Sequence, residues 1–226
     1  MTIHKVEKQS MSQNNLPKLL GILLFFCSWF VMSQEQEPPS RKLKKVGFLY
    51  NNAQNKNFLF NDEDYRYQIH VFKAQLFYNL IEWEKWDFNL LIQPQVQMGQ
   101  HQLLNPFFIQ PEDGNVDELR ERFTQELTLS LLAFELGFQF RREVFNGLFF
   151  EANFGLGVAY IDKDTERLAQ GFTFIENISL GFAHPFKSSE IYIGGQIGHV
   201  SNFDIQLPNS GYDTLGFEIG YRILLE

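Results

Sequence analysis

Three residues toward the C-terminus have the types and spacing for nucleophilic acyl chemistry: His199, Ser201 and Asp213. A serine hydroxyl is a weak nucleophile until a neighbouring imidazole accepts its proton, and a carboxylate holds that imidazole in the productive tautomer. His199 and Ser201 are two positions apart, so on a β-strand they project from one face. Asp213 lies fourteen positions beyond His199, across Pro208-Asn209-Ser210-Gly211. That composition is typical of turns and predicts a hairpin that brings the carboxylate alongside. Acyl transfer also needs donors for the oxyanion, and Asn202 and Asn209 are near enough in sequence to offer a side-chain amide. Their other reading is as ordinary turn residues. No Gly-x-Ser-x-Gly elbow is present, which argues against an α/β-hydrolase.

The elements that must position these residues are strands. Alternation at period two recurs along the chain, the mark of strands with two unlike faces. From Trp86 to Gly99 one face carries Trp86, Phe88, Leu90, Ile92, Pro94, Val96 and Met98, while the other carries mainly Gln, Asn, Asp and Gly. The pattern returns at Phe72–Leu80, at Phe134–Phe140 against Glu135 and Arg141, and at Leu148–Tyr160 against Glu151 and Asn153. Eight strands are predicted near 43–50, 66–81, 86–99, 125–140, 147–161, 171–183, 189–202 and 212–225. Several exceed the usual length of a globular strand and suit a tilted membrane crossing. An even strand count, one aromatic-rich face and one polar face predict an all-β fold, an eight-stranded antiparallel transmembrane β-barrel of the bacterial outer membrane. A soluble barrel or sandwich would instead bury the apolar face. Glu135, Glu151, Arg141, Glu218 and Arg222 favour the membrane barrel, since they can pair inside it, where unpaired charge is costly. Trp83 and Trp86 suit an interfacial girdle.

Length and composition agree. The chain of 226 residues suits one domain. Lys5, Lys8 and Lys18, then the apolar run Leu19–Val31 and a small residue at Ser33, read as a signal peptide over 1–33. Gln34 to Lys42, with Pro38-Pro39, read as a disordered leader, leaving 43–226 as the barrel domain. Cys27 is the only cysteine, and Phe25 and Phe26 are too bulky for a lipid-attachment site, so no lipid anchor is expected. The formal net charge of −8 excludes a nucleic-acid partner, which would call for clustered Lys and Arg. No His, Asp or Glu group has metal spacing and the mature part has no Cys, so no metal and no cofactor is expected. His70, His101 and His184 are read as structural, at a strand end, in an outer loop and by a short turn.

Short connections at 82–85, 141–146 and 184–188 alternate with mostly longer ones at 51–65, 100–124, 162–170 and 203–211. Barrels of this kind keep short turns in the periplasm and long loops outside, so the last hairpin opens to the exterior. His199 and Ser201 continue the outward row of Ile191, Ile193 and Ile197, and Asp213 continues that of Leu215, Phe217 and Ile219. Polar groups aimed at hydrocarbon are penalised, so this misfit itself points to function.

His199-x-Ser201-Asn202, followed by Pro208-Asn209-x-Gly211 and then Asp213, resembles the signature of the outer-membrane lipid A 3-O-deacylase family, also called acyloxyacyl hydrolases. The resemblance extends upstream over Phe134-Glu135-Leu136-Gly137, Gly155-Leu156-Gly157 and Gly171-Phe172-Thr173-Phe174. It covers the second half of the mature chain in its residues and the first half by architecture. It implies a serine esterase that hydrolyses the acyl chain at the 3-O position of lipid A, without a metal. Lipopolysaccharide in the membrane's outer leaflet would be its partner. It makes Ser201 the nucleophile, His199 the general base, Asp213 the orienting acid, and Asn202 or Asn209 an oxyanion donor. Asp213 departs from the Glu that the resemblance leads one to expect, and Leu224-Leu225-Glu226 from a terminal aromatic. The competing reading is a non-catalytic small barrel, adhesin- or porin-like, that binds through the 100–124 loop. The residues leave a homodimer open.

Overall fold

In the computed structural model the described residues are 42–111 and 114–225, so the expected signal peptide and all but the last residue of the leader lie outside them. Eight antiparallel strands form a closed barrel: β1 (Leu43–Gln54), β2 (Tyr65–Trp83), β3 (Trp86–Leu103), β4 (Leu127–Phe145), β5 (Leu148–Ile161), β6 (Gly171–Phe186), β7 (Ser189–Ser201) and β8 (Tyr212–Leu224). Each pairs with its sequence neighbour, and β8 returns to β1 from Lys45↔Leu224 to Gln54↔Leu215. Closure satisfies the backbone polar groups of every strand edge, which a hydrocarbon surrounding demands. Among the described residues no helix is long and apolar enough to cross a membrane.

The predicted alternation decides which way each side chain points. Phe134, Leu136, Phe138 and Phe140 of β4, with Ile193, Ile197, Phe217, Ile219 and Tyr221 of β7 and β8, are exposed on the outside. The intervening positions are buried inside. At the short-turn end the interior is ionic: Arg222 donates to Glu151 at 2.7 Å and to Glu190 at 2.9 Å, Arg141 reaches Glu151 at 2.9 Å, and Lys45 reaches Glu190 at 3.3 Å. The middle is an amide network around Glu135, which accepts from Gln93, Gln95 and Asn177 at 2.7 Å each. Gly155 is required there, because a Cβ at that position would overlap the Glu135 carboxylate.

The expectation of a polar interior holds only for these two levels. Toward the long loops the inward residues are apolar or aromatic, with Ile69, Val71, Leu129, Leu131, Ile161, Ile175, Val200, Tyr67 and Tyr212 in one buried cluster. Tyr67 stacks between Tyr212 at 4.1 Å and His101 at 4.3 Å. This layer plugs the barrel beneath the loops.

At the other end the strands run on into two-residue turns, closed by the pairs Trp83↔Trp86, Phe145↔Leu148 and Phe186↔Ser189. In the second turn, Asn146 and Gly147 both have positive φ, 32° and 79°, the conformation that favours Asn-Gly in tight hairpins. The predicted connections at 141–146 and 184–188 therefore shrink, because the strands continue to Phe145 and Phe186.

Two expectations are corrected at the loop end. The 100–124 segment, expected as a long connection, is largely regular, its first residues belonging to β3. It holds a 3-10 turn at Pro106–Phe108, capped by the Asn105 side chain, and a helix α1 (Val116–Thr124). Both fold because Ile109 and Phe123 pack on Leu103, with Phe108, Val116 and Leu119 against them. His101, expected in an outer loop, lies within β3, fully buried, with Nε2 2.6 Å from Glu166.

Candidate active site

β7 and β8 place the three predicted residues. His199 and Asp213 are direct partners across the strand pair, and paired residues project to the same side. Their contact follows: His199 Nδ1 lies 2.7 Å from Asp213 Oδ1. A carboxylate only accepts, so Nδ1 carries the proton, and in the neutral ring Nε2 is the nitrogen with the lone pair. Ser201, the last residue of β7, lies on the same outward face two positions on. Its carbonyl accepts from Thr173 Oγ1 at 2.7 Å, which ties the end of β7 to β6. Of the three predicted residues, His199 and Asp213 are thus joined by a direct hydrogen bond. The Ser201 hydroxyl lies near it without a hydrogen bond to His199, and such bonds commonly tighten only around substrate.

The pair sits on the barrel's outer wall, with His199 38 % and Asp213 50 % exposed. It continues the apolar belt of Ile193, Ile197, Phe217 and Ile219. Phe174, opposite Ser201 in the β6–β7 register, packs on Phe172 and Phe203 with ring centroids 4.9 and 4.7 Å apart. Glu176 stands opposite His199 on β6, so the imidazole has a carboxylate-bearing strand on each side. The alternation along 171–183 could have shown that Glu176 shares the outward face, but the sequence reading did not single it out.

Asn202 and Asn209 meet within the loop rather than on the open wall. The Asn202 N–H donates to Asn209 Oδ1 at 2.6 Å, the Asn202 amide to Gln206 O at 2.7 Å, and the Asn209 amide to Asp204 at 3.1 Å. They bridge a turn in which Phe203 and Asp204 both have positive φ, 53° and 61°, a conformation uncommon for residues other than glycine. The pair thereby fixes the chain directly after Ser201.

Gly211, the last residue before β8, packs against Ser201 and His199. Its φ is 62°, and a Cβ there would fall 3.2 Å from Ser201 Cβ and 3.3 Å from His199 Cε1. Its carbonyl accepts from Arg167 Nε at 2.6 Å. Behind this loop lies a cavity of about 720 Å³ lined by Phe108, Leu119, Phe123, Glu166, Pro208 and Asn209, among others. His199, Ser201 and Asp213 do not line it. Among the described residues no three His, Asp or Glu side chains converge as metal ligands.

The chain is thus a closed all-β barrel with an apolar outer belt, and a hydrogen-bonded His–Asp pair lies beside a serine at its rim. Residues 72–222, more than half of the chain, match the family model described as lipid A 3-O-deacylase (PagL); the chain belongs to that family. With the barrel's outward apolar face, membership places the protein in the bacterial outer membrane. Among solved structures, a crystal structure of the outer membrane enzyme PagL matches with TM-score 0.49 and 13 % identity, over 80 % of this chain and 99 % of that one. Neisserial surface protein A matches with TM-score 0.44 and 9 % identity, over 80 % and 96 %. The Yersinia pestis outer membrane protein Ail matches with TM-score 0.37 and 11 % identity, over 80 % and 99 %. No curated protein matches the sequence significantly.

Proposed function

We propose that this protein is an outer-membrane serine esterase that removes the ester-linked acyl chain at the 3-O position of lipid A. The observation that carries the reading is the 2.7 Å His199–Asp213 bond, formed on the membrane-facing wall beside Ser201 in a chain of the lipid A 3-O-deacylase family. The Ser201 hydroxyl attacks the ester carbonyl carbon as His199 Nε2 takes its proton, and Asp213 stabilises the imidazolium. The imidazolium then protonates the departing sugar oxygen, leaving the acyl group on Ser201. Water, activated by the same imidazole, releases the fatty acid. Asn202 and Asn209 are assigned to the oxyanion; their amides are engaged within the loop in the free protein and must turn outward to donate.

In this reading the long loops face the exterior, and a signal peptide over 1–33 with a leader over 34–42 directs export. The plugged interior runs against a porin-like role. Mass spectrometry of lipid A from cells producing the wild type or Ser201→Ala tests the proposal. Loss of one acyl chain only with the wild type is expected, and identical acyl patterns would overturn it.

A further inference from the structure

The Asp213 side chain is half exposed, and its place depends on the backbone entering β8. That backbone is gripped by one residue of another loop. Arg167 donates from Nε to Gly211 O at 2.6 Å and from Nη2 to Ser210 O at 3.3 Å. Its own carbonyl accepts from Ser210 N at 2.7 Å and Gly211 N at 3.2 Å. Main chain and side chain of a single residue thus hold the two peptide units that lead to Tyr212 and Asp213. Next to them, Leu168 bridges Asn209 and Ala169 N donates to Pro208 O at 3.0 Å.

The guanidinium is itself fixed from the remaining loops. It lies 4.1 Å over the Tyr65 ring and 5.5 Å from that of Phe108, with Nη1 3.9 Å from Asp62. The side chain is 14 % exposed. The four long connections therefore meet on one planar cation, with Asp62 from the first, Phe108 from the second, Arg167 from the third and Ser210 and Gly211 from the fourth. A lysine could not reproduce this, because a point charge cannot serve two carbonyls in a fork while stacking on a ring.

Resting on the esterase reading above, we propose that Arg167 is a positioning residue: it sets the Ser210–Asp213 segment so that the carboxylate meets His199 and Gly211 meets Ser201. It touches no reacting atom and acts through Asp213.

The test uses the full barrel chain folded in detergent micelles, with a chromogenic acyl ester as substrate and Arg167→Ala, Arg167→Lys, Asp213→Ala and the Arg167→Ala/Asp213→Ala double variant. Arg167→Ala should lower kcat by about 10- to 100-fold, the scale of a catalytic group misplaced by about an ångström, with KM changed less than about threefold. Arg167→Lys should recover little of this. On the Asp213→Ala background the same change should cost less than about threefold, since residues acting through one another are non-additive. Wild-type kcat in Arg167→Ala, or an equal loss on both backgrounds, would overturn the proposal. A readout independent of turnover is the NMR signal of the His199 Nδ1–H, expected to be displaced by its carboxylate partner in the wild type and to lose that displacement in both Arg167 variants. If the wild type does not hydrolyse the ester, the esterase reading fails while this signal still judges the positioning. An unchanged signal in both variants rejects it.

Discussion

At His199 the hydrogen bond decides which nitrogen can do chemistry. With Nδ1 committed to Asp213 at 2.7 Å, Nε2 is the nitrogen that would accept the serine proton in the proposed reaction. Ser201→Ala and His199→Ala should therefore each remove nearly all ester hydrolysis in micelles, because triad members act as a unit. Asp213→Asn should lose activity on the order of 100-fold or more, because an amide that donates to Nδ1 selects the wrong tautomer. Asp213→Glu should keep a substantial part, since it retains the carboxylate and adds one methylene. Activity should also be lost on acidification, as a protonated imidazole cannot accept. That His199, Ser201 and Asp213 come together on one outward face was legible in the sequence because strand geometry has a period of two: His-x-Ser guarantees a shared face, and the Pro208–Gly211 turn sets the return. Arg167 was not legible. Its partners Asp62, Phe108 and Gly211 are far apart in sequence, and no periodicity links them.

At the scale of elements, the strand order and inward–outward assignment followed from alternation, and the long–short sequence of connections matched. Helix α1 escaped notice because Val116, Leu119 and Phe123 have helical spacing over only nine residues, too few to stand out within a long loop. The apolar inner layer escaped because Leu129 and Leu131 alternate with Ser130 and Leu132, so neither face of β4 reads as polar there. Phe123 is the helix's buried anchor, sharing a core with Leu103 and Ile109. Phe123→Asp should release α1 from the rim while the barrel stays closed, since the strand ladders do not depend on it. Limited proteolysis should then cut within 114–126 in the variant and not in the wild type, with heat-modifiable gel mobility retained in both.

Across the whole molecule, the barrel separates what holds it together from what it uses. Glu151 is fully buried and receives Arg222 and Arg141, with Lys45 3.9 Å away. Glu151→Ala would leave those three cations to Glu190, with Asp87 3.7 Å from Arg141 alone. Breaking a buried pair from one side costs about 3–5 kcal/mol. The variant should unfold at clearly lower urea concentration in micelles than the wild type, whereas Ser201→Ala should unfold with it. A Glu151→Ala protein as stable as the wild type would show that the ionic layer does not secure the barrel.

The outward placement of His199 and Asp213 has a consequence for selectivity. A buried enzyme pocket measures its substrate with its own walls. On the proposed function the reacting groups would stand on the barrel's outer wall, part-exposed rather than enclosed. Their open side would meet whatever lipid lies against Phe174, Ile197 and Leu215. If the proposed esterase function holds, which acyl chain reaches Ser201, and at what depth its ester sits, would be set jointly by the barrel and by the thickness and fluidity of the surrounding leaflet. Chain preference would then be a property of the protein–membrane pair, shifting with the lipid bath while the sequence stays the same.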